Sequence, residues 1–380
     1  MEIEAETLTL AFELLESSSD DSDNEFFEVM NEFLIEKRDC PKIKGYVRIV
    51  LEEYDNIEFK RNFRVSREMF LKLQEMYENS NFISSNNHGL PCTSTESQIL
   101  QFLWFAGNKC VIRDVAARFD VAESTCHAKI NNVMNFLIDI APQIIKFPRS
   151  EEEKTAVAEK FEEIAGFPGI IGAIDGSYIP IRTPADKVKS TYVNRHDQTA
   201  LSLQGICDAE KKFIDVFTGI SGKVHDSTLF KMSFIYDEIV AICGEKWHLI
   251  GDAAYGIRKW LLVPYRDYGN MSQEQKHFNK KLSQSRVKIE NVFGLLKVRF
   301  RQLQKLDFLT VKKMSQFIMA CCVLHNLCIL NEDEWDDYIE GDNDDNEYTP
   351  DANENINENH EKTLGEIKRD EMCYKFSNIR

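Results

Sequence analysis

The sequence predicts an α/β fold, a mixed sheet flanked by helices, preceded by a small all-helical module. Three observations carry this. From residue 41 to about 146 the apolar residues recur at helical spacing, as in REMFLKLQEMY and ESQILQFLWFAG. From Gly169 the texture changes to short β-branched runs bounded by Gly or Asp: GIIGAIDGSYIPI, ALSLQGICDA and KKFIDVFTGI. After these three strands, helical and strand patterns alternate, and an antiparallel triplet followed by such alternation gives a mixed sheet with helices on its faces.

Taken in order, residues 1–40 read as an acidic flank without structure, 41–150 as the helical module, 165–330 as the α/β domain and 331–380 as an acidic tail. Within the module, Ile112 to Ile130 reads as two short helices around a turn at Asp120 to Glu123. Ala116 is small where the helices cross, Val121 plugs the turn, and Ser124 and Thr125 open the second helix. This is the grammar of a helix-turn-helix, although Lys129 and His127 are the only polar readers with reach that its second helix offers. The charged, Pro-containing stretch FPRSEEEK reads as a linker. In the α/β domain, Asp208-Ala-Glu-Lys makes a hairpin turn, a helix begins at Asp226-Ser-Thr, and WHLIGDAAY and LLVPY supply two further strands. A long helix then runs from about Ser283 to Gln304.

Charge decides the class of partner. The net charge of -17 argues against nucleic acid until its position is considered. Residues 1–30 hold 10 acidic and no basic residues, and residues 331–360 hold 13 and none, so the rest of the chain carries a net +6. A mildly basic body between acidic flanks is compatible with a phosphate backbone. No run of apolar residues reaches the roughly 18 needed for a membrane span, and the N-terminus lacks a basic signal-peptide region, so a soluble, intracellular protein is expected. Ten scattered cysteines form no CxxC pair and read as reduced thiols. Cys322, His325 and Cys328 suggest a zinc site, but steps of three and six along a helix turn the outer pair apart, so packed core thiols are the expectation.

Three carboxylates carry the chemistry. Asp175 closes the apolar run Ile170-Ile-Gly-Ala-Ile and Asp252 follows Trp247-His-Leu-Ile-Gly, each emerging where a buried strand ends beside a glycine. Either alone could cap a turn; two on neighbouring strands point to a site. In SQSRVKIENVFGLLKVRFRQLQK, Ile289, Val292, Leu296, Phe300 and Leu303 form an apolar stripe, while Arg286, Glu290, Lys297 and Arg301 share another face. Glu290 is thus an acid in a basic stripe, either paired with Arg286 four residues away or turned toward the two aspartates. Three acids suit two divalent ions, Mg²⁺ or Mn²⁺, which activate a water or hydroxyl and stabilise the leaving oxygen in phosphodiester hydrolysis. Asp226, in Lys223-Val-His-Asp-Ser-Thr, is the candidate fourth ligand, with capping of the next helix as its structural alternative.

With these residues placed, the chain resembles the Harbinger transposase family and its domesticated members, the transposase-derived nucleases. The motifs are GAIDGSYIPI, GKVHDS, LIGDAAY and SRVKIENVFGLLKVRF, and the resemblance runs from about residue 60 to Asn326. It implies a ribonuclease H-like fold, a DDE acid set of Asp175, Asp252 and Glu290, with Asp226 as the additional acid of the HD motif, and a hydrolase that cleaves DNA. It implies further that a separate Myb-like protein supplies sequence recognition, which fits a recognition helix with few readers. Lys129, Arg286, Lys297 and Arg301 are the candidate DNA contacts, and the substrate implies the nucleus, with the cytoplasm left open. The rival reading is a catalytically silent, domesticated transposase acting as a DNA-associated adaptor through protein partners. A hydrolase of small phosphorylated substrates is the weaker third, since the basic stripe has little use there.

Overall fold

The computed structural model describes residues 41–83, 93–184, 189–335 and 356–378. The N-terminal acidic flank and the stretch 336–355 lie outside the described residues. The chain divides at residue 43, and every element below belongs to the unit Lys44–Arg380.

The first part is helical, as its periodicity predicts: α1 (Tyr46–Glu52), α2 (Asn56–Phe63), α3 (Arg67–Glu78), α4 (Thr95–Asn108), α5 (Ile112–Arg118) and α6 (Glu123–Ile144). Asp55, Ser66 and Ser94 cap α2, α3 and α4 by accepting from the backbone N–H three residues on, which stabilises each start by about 1 kcal/mol. Between α5 and α6, Asp120 adopts a φ of 54° and the Val121 N–H bonds the Ala116 carbonyl at 3.1 Å, so the turn lies where the sequence places it. The second helix differs from expectation. It begins at Glu123, leaving Ser124 and Thr125 inside its first turn, and continues for 22 residues. Its length follows from the buried stripe Cys126, Ile130, Val133, Met134 and Leu137, which keeps its packing partners well past the turn.

The expected linker is also corrected. Its glutamates open α7 (Glu151–Ala165), where Ser150 accepts from the Glu153 N–H and the Glu153 carboxylate accepts from the Ser150 N–H. Glu151, Glu152 and Glu153 place negative charge at the positive end of the helix, so a run that reads as solvated linker is a helix start.

The sheet contains β1 (Ile170–Pro180), β2 (Ala200–Cys207), β3 (Phe213–Ser221), β4 (His248–Ile250) and β5 (Leu261–Leu262) in the order β3-β2-β1-β4-β5. The first three pair antiparallel, and β4 and β5 add parallel to β1. The Asp208 carboxylate accepts from the N–H groups of Glu210 and Lys212, which closes the predicted β2–β3 hairpin. Helices α8 (Asp226–Met232) and α9 (Tyr236–Cys243) join β3 to β4; the break between them at Ser233–Ile235 was not foreseen.

The long helix α10 (Gln273–Arg299) starts ten residues before the expected point, because Ser272 and Gln275 form a capping box and Phe278 and Leu282 extend the buried stripe. It stops at Phe300, and Arg301–Gln304 form a 3₁₀ turn. Helix α11 (Val311–Leu330) is apolar and long enough to cross a bilayer by length and composition, but 67% of it is buried inside the fold. It is the central core helix. Cys322, His325 and Cys328 pack there, and His325 Nε2–H donates to the Lys211 carbonyl at 2.9 Å.

The C-terminal tail is a further correction. Its last part forms α12 (Ile356–Asn378), which buries Met372, Cys373 and Phe376, with Phe376 edge-on to Phe167 at 5.1 Å. Gly365 lies on the backbone at Arg258, where a Cβ would stand 2.7 Å from the Arg258 carbonyl carbon. Two apolar cores sandwich the sheet: Ala173 faces one, with α10 and α11, and Ile174 faces the other, with α8 and α9. The helical module belongs to the first core, through contacts such as Phe105 on Phe317 at 5.6 Å.

Candidate active site

The register of the sheet brings the two aspartates together. Ala173 of β1 pairs with Ile250 of β4, and Asp175 and Asp252 each follow two residues later. Asp175 does not end its strand, as the apolar run implied; β1 continues to Pro180 against β2, and Asp175 stands where parallel pairing with β4 stops. Both acids are buried, at 7% and 5% exposure. The Gly176 N–H donates to Asp175 Oδ1 at 2.8 Å, and the Ala254 N–H donates to Asp252 Oδ1 at 2.9 Å.

Helix α10 supplies the other charges. One nitrogen of Arg286, Nη2, donates to Asp175 Oδ2 at 3.2 Å and to Glu290 Oε1 at 3.0 Å. Of the two alternatives weighed for Glu290, the structure shows the pairing with Arg286, which links it to Asp175 through the shared guanidinium. Burial works against the Arg286 charge, but Asp175, Asp252 and Glu290 together outweigh it and hold the guanidinium above its ordinary pKa. For Asp175 the balance runs the other way. Burial pushes its carboxyl up to about 6, opposed by Arg286 and reinforced by Asp252.

Asp226 approaches from the opposite core. It is the first residue of α8, one position after His225, which holds the N-cap position expected for Asp226. Its carboxylate fills the space over Gly176, where a Cβ would lie 2.4 Å from Oδ1.

Two further residues of this region were not singled out in the sequence. Tyr255 is 1% exposed; burial, followed by the charges of Asp226, Asp175 and Asp252, raises its phenol well above the usual value. Gln204 pairs with Gly176 across β1 and β2, so it leaves the sheet on the face of Asp226, and it is wholly buried. Among the described residues, Tyr255 Oη, both polar atoms of the Gln204 amide and Arg286 Nε are buried without hydrogen-bond partners. Such orphans are costly unless a bound group completes them. A signal was present for both: Tyr255 closes LIGDAAY, and Gln204 is the largest polar residue in the mostly apolar ALSLQGIC.

Among the described residues no three His, Cys, Asp or Glu side chains stand close enough together to hold a metal ion. Asp175 and Glu290 share one cationic nitrogen of Arg286 and Asp252 acts on the same charge, and carboxylate oxygens are the donor type that a hard cation takes. Of the candidate DNA contacts, Lys297 is partly buried on α10 and Arg301 is exposed just beyond it, while Lys129 is partly buried on α6, in the helical module.

Residues 174–326, which include all four acids, match the family model described as DDE superfamily endonuclease. The chain carries a DDE superfamily endonuclease domain. Residues 42–139 match a second model, described as a domain of unknown function. HARBI1 of Bos taurus, a protein named as a nuclease, is 28% identical over 253 residues, 65% of this chain and 71% of its own length. HARBI1 of Homo sapiens is 28% identical over 240 residues, covering 62% and 68%. Protein ALP1-like of Arabidopsis thaliana is 25% identical over 297 residues, covering 73% and 71%. The DDE domain is thus homologous to the Harbinger transposase-derived nucleases, as the sequence motifs implied. No solved structure matches the chain.

Proposed function

We propose that this chain is a metal-dependent nuclease that cleaves DNA phosphodiester bonds through a ribonuclease H-like DDE domain. The observation that carries the reading is the convergence of Asp175, Asp252 and Glu290 on the single guanidinium of Arg286, within a domain of endonuclease type. Two buried aspartates set side by side, with Glu290 on the same guanidinium, have no evident value to the fold alone, because burying carboxylates costs desolvation.

In this reading Asp175, Asp252 and Glu290 are the catalytic acids, and together with Asp226 they hold Mg²⁺ or Mn²⁺. Two such ions, when bound, activate the attacking oxygen and neutralise the leaving one. The chain's own groups do the rest. Arg286, beside the acids, would meet a phosphate oxygen, Lys297 and Arg301 would follow the backbone away from the scissile bond, and Tyr255 Oη would be the buried donor on the side of the second core. Lys129 contacts the backbone from the helix-turn-helix, a separate Myb-like protein adds sequence preference, and the nucleus is the compartment of action.

A second reading has one observation in its favour. Arg286 compensates the acids without any metal, so the fold is self-consistent as a non-catalytic, DNA-associated adaptor. Cleavage of labelled duplex and single-stranded DNA with Mg²⁺ or Mn²⁺, run beside Asp252→Asn, separates the two. Metal-dependent products that vanish in the variant support the nuclease; no products with any DNA form and metal hand the case to the adaptor.

A further inference from the structure

Away from the acid group, an open cavity of about 790 Å³ lies between α2, the start of α3 and the end of α10. Lys60, Arg61, Arg64, Arg67 and Arg301 line it against the carboxylates of Glu68 and Glu334, a cationic surplus in a chain whose net charge is -17. The cations have different duties. Buried Asp333 pairs with Lys60 at 2.8 Å and with Arg299 at 3.3 Å, and the Arg67 guanidinium bonds the Tyr54 carbonyl at 2.8 Å, so these charges hold the fold. Arg61 and Arg301 are exposed and make no hydrogen bond or ion pair among the described residues.

The wall is built rather than incidental. Arg64 takes a φ of 65° at the end of α2, and its side chain runs over Gly107, where a Cβ would stand 2.6 Å from Arg64 Cγ. Arg64 and Arg299 lie over the ring of Trp335, at 5.2 and 5.6 Å from its centroid. Trp335 Nε1–H, also at this wall, is buried with no hydrogen-bond partner among the described residues. An orphaned donor beside guanidinium groups calls for an acceptor with negative charge.

We propose that this cavity binds a phosphodiester of a polynucleotide strand, remote from the acid group, with Arg61 and Arg301 on the phosphate oxygens and Trp335 Nε1–H as a third donor. The proposal rests on DNA being the substrate and adds where a second stretch of it docks. The cavity is open and larger than one phosphate ion needs, which suits a strand passing through. Its position relative to the acids is set by α10, which carries Glu290 and ends beside Arg301. From Glu290 to Arg299, where α10 ends, the helix rises roughly 14 Å at about 1.5 Å per residue, about four base pairs of duplex, and Arg301 follows in the 3₁₀ turn. The helix and that turn together set the spacing between the cut and the anchor.

The test is equilibrium binding of the full chain to a fluorescent duplex in EDTA over a range of KCl, so that no cleavage intervenes. Arg61→Glu is expected to weaken binding about five- to tenfold and to lower the salt slope by about one, with Arg61→Lys recovering most of the loss. Trp335→Phe is expected to lose about two- to fivefold with an unchanged slope, since it removes a neutral donor. Inorganic phosphate is expected to compete no better than chloride at equal ionic strength. Unchanged affinity and slope in Arg61→Glu overturn the proposal. So does displacement of the duplex by inorganic phosphate, or by an acidic peptide, at concentrations where chloride has no effect. Metal-dependent cleavage by the wild type, measured separately, keeps the two readings apart. Cleavage together with indifference to Arg61→Glu sinks the anchor alone, and a strong Arg61→Glu effect without any cleavage sinks the nuclease alone.

Discussion

Gly176 leaves open the space that the carboxylate of Asp226 occupies, since a Cβ on residue 176 would lie 2.4 Å from Asp226 Oδ1. The same glycine donates its N–H to Asp175, so one residue without a side chain touches acids on both faces of the sheet. Gly176→Ala is therefore expected to displace Asp226, cutting metal-dependent cleavage at least about tenfold and destabilising the fold by about 1–3 kcal/mol. Cleavage that falls only in proportion to folded protein would place Asp226 outside the site.

Asp175→Asn, Asp252→Asn and Glu290→Gln are each expected to lower cleavage about a thousandfold, roughly 4 kcal/mol of transition-state stabilisation. Asp175 adds a stability signature. Its folded pKa of about 6 lies above the ordinary value of 3.8, so its contribution to stability is fully present below pH 3.8 and is lost as pH rises through 6. Asp175→Asn should melt at the same or a higher temperature than the wild type at pH 7.5, and this advantage should shrink by pH 5. A variant that melts well below the wild type at pH 7.5 would assign Asp175 a net structural role.

Arg286 is the built-in counter-ion of the acids. Arg286→Ala should lower the melting temperature in EDTA by several degrees, because Asp175 is left buried beside Asp252 and Glu290 without a cation. Added Mn²⁺ should then raise the melting temperature more than it does in the wild type, since metal no longer competes with the guanidinium. Equal Mn²⁺ shifts in both proteins would separate the metal from the Arg286 position.

His325 sets an opposite pH dependence. Burial, partly offset by the bond to the Lys211 carbonyl, lowers its pKa from 6.5 to about 4. Its contribution is present above pH 6.5 and lost as pH falls through 4, on the order of 2 kcal/mol by pH 5. His325→Gln, which keeps a donor for Lys211, should lose less stability between pH 7 and pH 5 than the wild type. Parallel urea midpoints at the two pH values would refute the assignment.

The acidic residues between 336 and 355 should oppose DNA by charge alone. Replacing them with Ser and Asn, while keeping Asp333 and α12, is expected to tighten duplex binding at low salt, with the gain disappearing as KCl rises. Cutting the chain at residue 330 would not test this, because it also removes the Asp333 ion pairs with Lys60 and Arg299 and the packing of Phe376. Equal binding at low salt would leave the acidic run without an inhibitory role.

What the sequence determined by itself is whatever depends on local pattern. Short apolar runs bounded by Gly or Asp mark β2 and β3, the stripe Ile289, Val292 and Leu296 marks the buried face of α10, and the spaced motifs point to the DDE domain. Where local pattern was mixed, the reading failed: EEEK became the start of α7, and the polar stretch from Gln273 joined α10, because a cap and a few distant apolar contacts outweighed composition. The end of the tail became α12 for the same reason, since Met372, Cys373 and Phe376 find partners such as Phe167 that lie some two hundred residues earlier. Only the tertiary structure decided that Arg286 bonds both Asp175 and Glu290, that Asp226 reaches over Gly176, and that Tyr255 and Gln204 are buried with unpaired polar atoms. Those relations join residues up to 111 positions apart. They depend on strand register and helix placement, which arise from the packing of two cores against one sheet and leave no periodic trace in the chain.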